Sequence, residues 1–352
     1  MITLGIESSC DDTAVAIIRG SREIISEHVS SQITEHQRFG GVVPEFAARM
    51  HQEAILPLIK LVMDEARASM SESEAIDLIA VTRGPGLMGS LLVGVLTARA
   101  LGSAWGVPVL GVNHIEGHIF ANYLADENLA PPFISLVVSG GHTEIIHVRR
   151  WGNYHILGGT RDDAAGEAFD KAAKLLGLPY PGGVVIDKLS ASGNPKAFSF
   201  PVPLKNTDEV EFSFSGLKTA LLWKLKQLSA GETAPPDYIS IGKGSLGNIS
   251  FTDEQTSDIC ASYQAAIVES LMIKLELAAR KTGVNKVAIS GGVAANSALR
   301  AAMQSKKGIW DVYIPSIAHC TDNAAMIAAA GASSWRRGVR MDTIAPDPSL
   351  RI

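Results

Sequence analysis

The sequence predicts an α/β protein made of two duplicated lobes. Its 352 residues suffice for two domains of the usual size, roughly 150 residues each. A strand–turn–strand pattern over residues 2–18 recurs over residues 133–148, and each copy carries serine in its polar turn. A strand, a glycine loop, a helix and another strand follow one another over residues 78–112, which is typical of a parallel sheet.

The duplication rests on two apolar–polar–apolar segments that begin about 130 residues apart. Each is typical of a β-hairpin whose turn presents hydroxyl and backbone N–H groups. The alternative is a pair of unrelated hairpins, which is common among α/β proteins.

The remaining elements are predicted from the period of the apolar residues and from glycine breaks. Residues 228–257, rich in Gly, Ser, Pro and acidic residues, predict a polar surface excursion instead. The predicted elements are a helix over 44–68, a strand over 78–82, a helix over 91–101, a strand over 107–112, helices over 164–176 and 259–281, a strand over 286–290 and a last helix over 322–335.

Composition excludes several classes of protein. A chain that is 46% hydrophobic and 19% charged is globular and not disordered. Its net charge of −5 argues against a basic protein that coats nucleic acid. Its 3 cysteines are an odd number that implies no disulfide framework and favours the reducing cytoplasm. The apolar stretch between Arg83 and Arg99 is shorter than the about 20 residues of a membrane span.

A pair of histidines is the most informative feature. His114 and His118 have the i, i+4 spacing that places two imidazoles on one helix face, where they can share a metal ion. Zinc proteases have the same histidine spacing but place a glutamate directly after the first histidine, whereas Glu116 lies two positions on. The pattern alone favours a metal site and ordinary hydrogen-bonded histidines equally.

Asp322 is the candidate third ligand. Two histidines and one carboxylate match the open sites of non-haem iron and of some zinc enzymes, and the sequence does not separate these metals. Asp322 also opens the last predicted helix, where an N-cap role is the alternative that the residue alone favours.

Three glycine pairs indicate a ligand cleft. They lie at 140–141, 182–183 and 291–292, beside predicted strands and helices. Helix N-terminal N–H groups beside such turns bind phosphate, so the three turns predict a nucleotide between the two lobes. None matches G-x-G-x-x-G or the P-loop pattern, which disfavours a Rossmann dehydrogenase or a P-loop kinase.

Further carboxylates lie close to these turns. Asp170 and Asp187 flank the second glycine pair and are candidates for contacts with a ribose. Glu7 and Asp11 occupy the first hairpin turn and are candidate catalytic groups. Acidic residues that complement a helix dipole, or that simply form a turn, are the alternatives.

Nine stretches together resemble one known family, the Kae1/TsaD/Qri7 family, once described as O-sialoglycoprotein endopeptidases. The stretches cover nearly the whole chain in the family's order, and their form is most similar to the bacterial TsaD branch. They are GIESSCDDTAVAI (5–17), GGVVPEFAARMH (40–51), TRGPGLMGSLLVG (82–94), NHIEGHI (113–119), LVVSGGHTE (136–144), DDAAGEAFDKAAKLLGLPYPGG (162–183), FSFSGLKTAL (212–221), ISGGVAANSALR (289–300) and CTDNAAMIA (320–328).

The resemblance implies an actin-like (ASKHA) fold with two lobes around a nucleotide cleft, the first at 1–115 plus about 320–352 and the second at about 116–319. It implies a tRNA N6-adenosine threonylcarbamoyltransferase. Such an enzyme moves the threonylcarbamoyl group of threonylcarbamoyl-adenylate to the adenosine beside the anticodon of tRNAs that read ANN codons, and AMP is released.

The resemblance also implies site residues and partners. The metal ligands correspond to His114, His118 and Asp322, with Fe²⁺ the first expectation and Zn²⁺ the alternative; Glu7 and Asp11 are predicted to assist the chemistry. The expected partners are tRNA, a TsaB-like protein and a TsaE-like ATPase, with a homodimer possible in isolation and no membrane. The predicted substrate contacts are Val137, Val138, Ser139, Gly140, Gly141, Asp170, Gly183, Asp187 and Asn296.

Two other functions compete with the transferase. The i, i+4 histidines alone are compatible with a metallopeptidase, although the position of Glu116 argues against one. A non-catalytic ATP-binding module is the third hypothesis, because one fold hosts many functions.

Overall fold

Two five-stranded sheets of the same topology organise the chain. The structure is a computed structural model that describes residues 1–230 and 251–352. In the first sheet the strands are β1 (Ile2–Glu7), β2 (Asp12–Arg19), β3 (Glu23–Ser31), β4 (Ile76–Gly84) and β5 (Val109–Asn113). In the second they are β6 (Phe133–Val138), β7 (Thr143–Arg150), β8 (Asn153–Gly159), β9 (Lys286–Ser290) and β10 (Asp311–Tyr313).

The two sheets confirm the predicted duplication. Their strand orders are β3-β2-β1-β4-β5 and β8-β7-β6-β9-β10, so equivalent strands occupy equivalent places. In each sheet the first three strands are antiparallel and the last two join in parallel. The expected hairpins are both present, with Glu7 opposite Ala14 in one and Val138 opposite Thr143 in the other.

Ten α-helices connect and cover these sheets within the described residues. Several boundaries follow from the sequence, since Pro44 opens a helix and Gly106 and Gly283 end helices in the left-handed conformation that glycine favours. The helices are α1 (Ile33–Gln37), α2 (Pro44–Ser69), α3 (Met88–Trp105), α4 (His114–Ala125), α5 (Ala165–Leu175), α6 (Gly182–Ser190), α7 (Ser215–Ala230), α8 (Asp253–Thr282), α9 (Ser297–Gln304) and α10 (Ala324–Arg336).

Both described ends of the predicted excursion at 228–257 are helical, which corrects that prediction. Helix α7 continues to Ala230, and α8 begins at Asp253. The early start of α8 is explained by a capping box, in which Thr252 Oγ1 accepts from Gln255 N at 3.1 Å and Gln255 Oε1 accepts from Thr252 N at 3.1 Å. The rest of the predicted excursion, 231–250, lies outside the described residues.

The last helix also begins later than predicted. It starts at Ala324 instead of residue 322, because Asn323 is the N-cap and its Oδ1 accepts from Met326 N at 2.9 Å. Asp322 therefore stands just outside the helix, and its side chain remains available for other contacts.

Helices α4 and α10 hold equivalent places in the two repeats. Helix α4 follows β5, the last strand of the first sheet, and α10 follows β10, the last strand of the second. The two helices pack against each other, and α10 also lies on β1, β2 and β4. Asn122 joins α4 to the second sheet by donating to the Ile289 carbonyl at 2.9 Å. This pair of helices thus lies between the two lobes.

Small residues allow α10 to lie close to the first sheet. A Cβ at Gly5 would clash with the Ala324 carbonyl and lie 2.9 Å from the Ala328 Cβ, and a Cβ at Gly331 would clash with the Ala80 methyl. The alanine-rich face of α10 is fully buried there. The contact therefore depends on side chains that are absent or small.

Helix α3 is the one helix among the described residues with the length and composition to cross a membrane. A single such helix is weak evidence, because an apolar helix packed in a globular protein passes the same test. Here α3 packs on α2 and β4.

Gly5→Ala is expected to lower the free energy of unfolding by about 1–3 kcal/mol, because the added methyl group overpacks the contact between β1 and α10. Gly216→Ala is the matched control, since nothing in the described chain lies within 4 Å of a Cβ there and alanine favours helix α7 by about 0.5–1 kcal/mol. Denaturant unfolding measures both. A Gly5→Ala variant as stable as the parent would contradict the packing argument.

Candidate metal and nucleotide site

Helix α4 presents both candidate histidines at its N-terminus. It begins directly after β5, where Asn113 caps it by accepting from Ile115 N at 2.8 Å and from Glu116 N at 3.3 Å. His114 is 5% exposed and His118 is fully buried. Their ring centroids are 4.6 Å apart, so the predicted sharing of one helix face is confirmed.

Asp322 lies opposite these histidines, and its interpretation as an N-cap is wrong because Asn323 has that role. The Asp322 Oδ1 atom is 3.5 Å from His114 Nε2 and 3.4 Å from His118 Nε2. One ligand atom from each of the three residues lies within 4.8 Å of the other two. A single carboxylate oxygen thus faces two imidazole nitrogens.

The chemistry of this set fits a metal ion. Among the described residues, neither ring nitrogen of the fully buried His118 makes a well-formed hydrogen bond, and the only polar contact of Nε2 is the 3.4 Å approach of Asp322 Oδ1. Burying an imidazole without hydrogen bonds to its nitrogens lowers the stability of the fold, and a metal ion would satisfy one of those nitrogens. Two imidazoles with one carboxylate are the donors that iron(II) and zinc sites use.

Glu7 orients His114 by contacting Nδ1, the ring nitrogen on the side away from Asp322. Its Oε2 lies 3.1 Å from His114 Nδ1 and accepts from Thr82 Oγ1 at 2.6 Å, while its Oε1 accepts from Ser9 N at 2.5 Å. A carboxylate on Nδ1 fixes the ring and directs Nε2 toward Asp322, as carboxylates do behind metal-binding histidines. Because Glu7 is fully buried and both oxygens are used, these contacts favour orientation of His114 over direct contact with substrate.

The charges of this cluster shift its pKa values in opposite directions. Burial lowers the pKa of His114, but the charges of Asp322 and Glu7 outweigh it and raise the value to about 9. Burial raises the pKa of Asp322, but His114 and His118 hold it well below its usual range. The cluster therefore keeps Asp322 in the ionised form that binds metal, whereas His114 has to lose a proton before it can bind a metal ion.

The first glycine turn lies beside the histidines. Ser139 N donates to the His142 carbonyl at 2.8 Å, and His142 N donates to Ser139 Oγ at 3.2 Å, which closes the turn after β6. Burial lowers the pKa of His142 to about 4, with smaller effects from His114 and His118. His142 was not among the candidate residues, although it lies within the quoted motif at 136–144.

The three glycine turns lie side by side. The carbonyl of Val138 approaches Gly291 so closely that a Cβ there would clash, which joins the turns after β6 and β9. Gly166, at the start of α5, donates to the Ser139 carbonyl at 3.2 Å. No described atom lies within 4 Å of a Cβ placed on Gly140, Gly141 or Gly292, so these turns border open space.

Asp170 links the second turn to the first through α5. It lies one turn along α5 from Gly166, and its Oδ1 accepts from Gly182 N at 2.7 Å. Burial raises the pKa of Asp170 to about 6, although the N–H groups of Gly182 and Gly183 lower it. The neighbouring Lys171 points to Asp163 and Glu167, at 2.6 and 2.9 Å, in surface ion pairs.

Asp187 and Asn296 lie together at the N-terminus of α9. Asp187 accepts from Ser297 N at 3.1 and 3.2 Å and from Ser297 Oγ at 2.7 Å. Asn296 caps α9 through Leu299 N at 3.0 Å and donates to Gln264 at 2.7 Å. Both side chains thus have structural contacts, and their contact with a nucleotide stays a prediction.

Asp11 interacts electrostatically with residues of both the metal set and the second glycine turn. Burial raises its pKa, and the charge of Asp322 raises it further. Its charge in turn raises the pKa of Asp170 and of Tyr180, so its neighbours come from both groups of site residues.

Glu116 faces away from the histidines, which argues against a metallopeptidase. Its Oε1 accepts from Tyr154 Oη at 2.6 Å and lies 3.4 Å from Arg337 Nη2. Burial raises its pKa. A peptidase base has to reach a water on the metal, and this carboxyl group is held on the other side of the helix.

The positioning of Asp322 involves two residues that the sequence did not indicate. Glu27, on β3, accepts from Ala325 N at 3.0 Å and lies 3.3 Å from His319 Nε2. Arg300, on α9, donates to the Pro315 carbonyl at 3.1 Å on the other side of the same loop. One contact from β3 of the first sheet and one from helix α9 therefore hold the segment that carries Asp322.

The fold and the site define an actin-like protein with a candidate metal centre in its cleft. The activator of 2-hydroxyisocaproyl-CoA dehydratase from Clostridium difficile, solved with bound ADPNP, superposes with a TM-score of 0.52 at 13% identity, over 97% of this chain and 100% of that one. Full-length HypF, solved in a phosphate- and nucleotide-bound form, gives a TM-score of 0.58 at 14% identity, over 97% of this chain and 56% of that one.

The sequence comparisons are more specific. The family model described as "TsaD: tRNA N6-adenosine threonylcarbamoyltransferase" matches residues 23–329. Curated relatives with that enzyme name include one from Anaeromyxobacter dehalogenans, 47% identical with 99% of both chains covered, and one from Thermosipho africanus, 47% identical with 100% of both covered. This chain belongs to the TsaD family, and the predicted resemblance is confirmed.

Asp170→Asn tests the electrostatics of the second turn. The folded pKa of about 6 exceeds the ordinary value of 3.8, so ionised Asp170 destabilises the fold, and stability falls as pH rises from about 4 to 6. The amide keeps the acceptor and removes the charge, so the variant is expected to gain up to about 3 kcal/mol relative to the parent across this window. Urea unfolding from pH 4 to 7 measures the difference.

Asp64→Asn is the control, because Asp64 is exposed on α2 and pairs with Arg67 at the surface. Its stability relative to the parent is expected to remain constant over the same range. If the stability difference between Asp170→Asn and the parent is also independent of pH, burial of the ionised Asp170 does not destabilise the fold.

Proposed function

We propose that this protein transfers a threonylcarbamoyl group from threonylcarbamoyl-adenylate to N6 of the adenosine next to the anticodon in tRNAs that read ANN codons. Membership of the TsaD family supports a tRNA threonylcarbamoyltransferase. The observation that carries the proposal is the His114–His118–Asp322 set, which lies beside glycine turns where Gly140, Gly141 and Gly292 border open space. Transfer from an acyl-adenylate needs both the metal set, which polarises the donor, and the glycine turns, which hold its phosphate.

The glycine turns are proposed to hold the adenylate. The backbone N–H groups of Gly140 and Gly141 are proposed to face the phosphate, at the end of the buried Val137–Val138 segment, while the Ser139 N–H closes the turn through the His142 carbonyl. Asp170, Gly183, Asp187 and Asn296 surround the ribose and base. Holding the donor rigidly matters because an exocyclic adenine amine is a weak nucleophile, and positioning supplies much of the rate.

The reaction forms a bond from N6 to the carbamoyl carbon and breaks the bond from that carbon to the phosphate oxygen of AMP. A metal ion held by His114, His118 and Asp322, Fe²⁺ by preference or Zn²⁺, would act as a Lewis acid toward the donor. Glu7 keeps the His114 ring oriented. Asp11 is the proposed acceptor for the N6 proton, since it lies near both groups of site residues.

Two lobes are proposed to form the enzyme, residues 1–115 with about 320–352 and residues about 116–319. The packing of α10 on the first sheet supports this division. The protein is proposed to act in the cytoplasm, where its tRNA substrates are found. With a net charge of −5, the chain is proposed to share the grip on tRNA with its partners.

The test is a reconstitution. The protein, with TsaB-like and TsaE-like partners, a threonylcarbamoyl-adenylate-forming enzyme, tRNA, ATP, threonine and bicarbonate, is expected to yield N6-threonylcarbamoyladenosine in digested tRNA. Absence of that nucleoside, with every partner shown to be active, would reject the function.

His118→Ala is expected to reduce bound metal to below about a tenth of the parent and to abolish transfer, because a three-residue site loses one ligand. His155→Ala is the control, since His155 is an exposed histidine on β8. Elemental analysis and tRNA nucleoside analysis measure the two effects. Full activity in His118→Ala would exclude a catalytic role for the metal.

We also propose that the TsaB-like partner docks on an apolar face of α2 and α3, and that the same face pairs two copies when the chain is alone. A groove of about 500 Å³ lies there, and Leu56 and Leu96 in it are 60% and 50% exposed. Exposed apolar patches of this kind mark interfaces. The groove is lined by Gln52, Ile55, Leu56, Val93, Leu96, Thr97, Ala100, Leu101 and Ala104.

A Leu56→Glu, Leu96→Glu double variant is expected to weaken this association at least tenfold, because it places two charges in an apolar interface. Ile309→Glu is the control, since Ile309 is 70% exposed and lies away from α2 and α3. Light scattering of the protein alone and with the TsaB-like partner gives the result. Unchanged association would place the interface elsewhere.

A further inference from the structure

The buried carboxyl group of Glu116 has contacts that the proposed reaction does not use. Glu116 lies midway between His114 and His118 on α4, so its side chain leaves the opposite side of the helix. The side chain is 13% exposed. Its contact with Tyr154 Oη, at 2.6 Å, is a short charge-assisted type of hydrogen bond.

The partners of Glu116 come from both lobes. Tyr154 lies on β8 of the second sheet, and Arg337 follows the last residue of α10. Arg337 is itself held, since it donates to Ser333 Oγ at 2.6 Å and to Ser334 Oγ at 2.8 Å. The Glu116 carboxyl group therefore ties α4 to the second sheet and to the C-terminal end of α10.

The orientation of α4 determines the geometry of the metal ligands. His114 and His118 belong to α4, whereas Asp322 stands two residues before α10. Rotation of α4 about its axis would move both Nε2 atoms away from Asp322. Gly117 allows the two helices to touch, because a Cβ there would lie 2.6 Å from Ile327 Cδ1, but a glycine contact does not itself prevent rotation.

We propose that Glu116 is a positioning residue, which fixes the rotation of α4 through Tyr154 and Arg337. It thereby keeps His114 and His118 placed so that they and Asp322 can bind one metal ion. This rests on the metal site of the proposed function. Metal ligation tolerates errors of only about 0.2 Å, and the loss of supporting contacts typically reduces metal affinity about 10–100-fold. Tyr154 has the shorter contact and contributes more than Arg337.

The experiment measures Co²⁺ affinity of the full chain, because Co²⁺ occupies iron and zinc sites and its visible absorption reports on coordination geometry. Glu116→Ala is expected to bind Co²⁺ at least tenfold more weakly with an altered spectrum, and Tyr154→Phe about as weakly. Glu116→Gln keeps an acceptor for Tyr154 and is expected to restore affinity to within about threefold. Glu127→Ala, which removes an exposed partner of Arg22 just beyond α4, is the control.

Thermal unfolding of the same variants separates positioning from stability. Weaker Co²⁺ binding in Glu116→Ala and Tyr154→Phe, with rescue in Glu116→Gln, supports the proposal even where the variants lose stability. Unchanged Co²⁺ affinity and spectrum in a folded Glu116→Ala variant would overturn it and leave the metal site intact. Absence of Co²⁺ binding by the unmodified protein would overturn both this inference and the metal role proposed above.

Discussion

The close crossing of α4 and α10 is the constraint on which the site depends. The missing side chain of Gly117 lets α4 approach Ile327, and the small residues of α10 let that helix lie on the first sheet. The three candidate ligands are carried by these two helices or stand directly before them. Packing of α10 on the first sheet and of α4 against β5, β6 and β9 limits their relative position, and the contacts of Glu116 are proposed to fix the remaining rotation of α4.

Hydrogen bonds and charges set the orientation of the candidate ligands within the packed helices. A carboxylate held between two buried imidazoles is stable only when each remaining buried polar atom is also satisfied. Glu7 meets this need for His114 Nδ1, together with Ser9 Oγ at 3.2 Å. His118 is different, since within the described chain Nδ1 has no hydrogen-bond partner and Nε2 has only the 3.4 Å contact with Asp322. The unsatisfied imidazole is the observation that most directly points to a metal ion.

Much of the fold could be predicted from the sequence because its signals are local. Apolar runs of strand length defined both hairpins, and the predicted bounds of α2 and α5 were within one residue of those observed. The prediction was wrong at 253–257, because the capping box at Thr252–Gln255, a local signal present in the sequence, starts α8 there in spite of the polar composition. The start of α10 was misplaced because two adjacent residues, Asp322 and Asn323, are both good N-caps.

The site was less predictable, because its ligands are separated by about 200 residues of sequence. The spacing of His114 and His118 placed them together, but only the tertiary structure brings Asp322 to them. Glu27 and Tyr154 had no local signal at all. Their contacts cross between elements that are distant in sequence, and single polar residues in strands carry no pattern that marks such a role.

The equivalence of α4 and α10 has an evolutionary consequence. Each helix follows the last strand of its repeat, so the histidines and the aspartate occupy corresponding ends of two homologous segments. In a single ancestral repeat, those ends would meet only across the twofold axis of a homodimer. In the single chain the two ends differ in sequence, so that one carries two imidazoles and the other a carboxylate. On the axis of a symmetric dimer both ends would present identical residues.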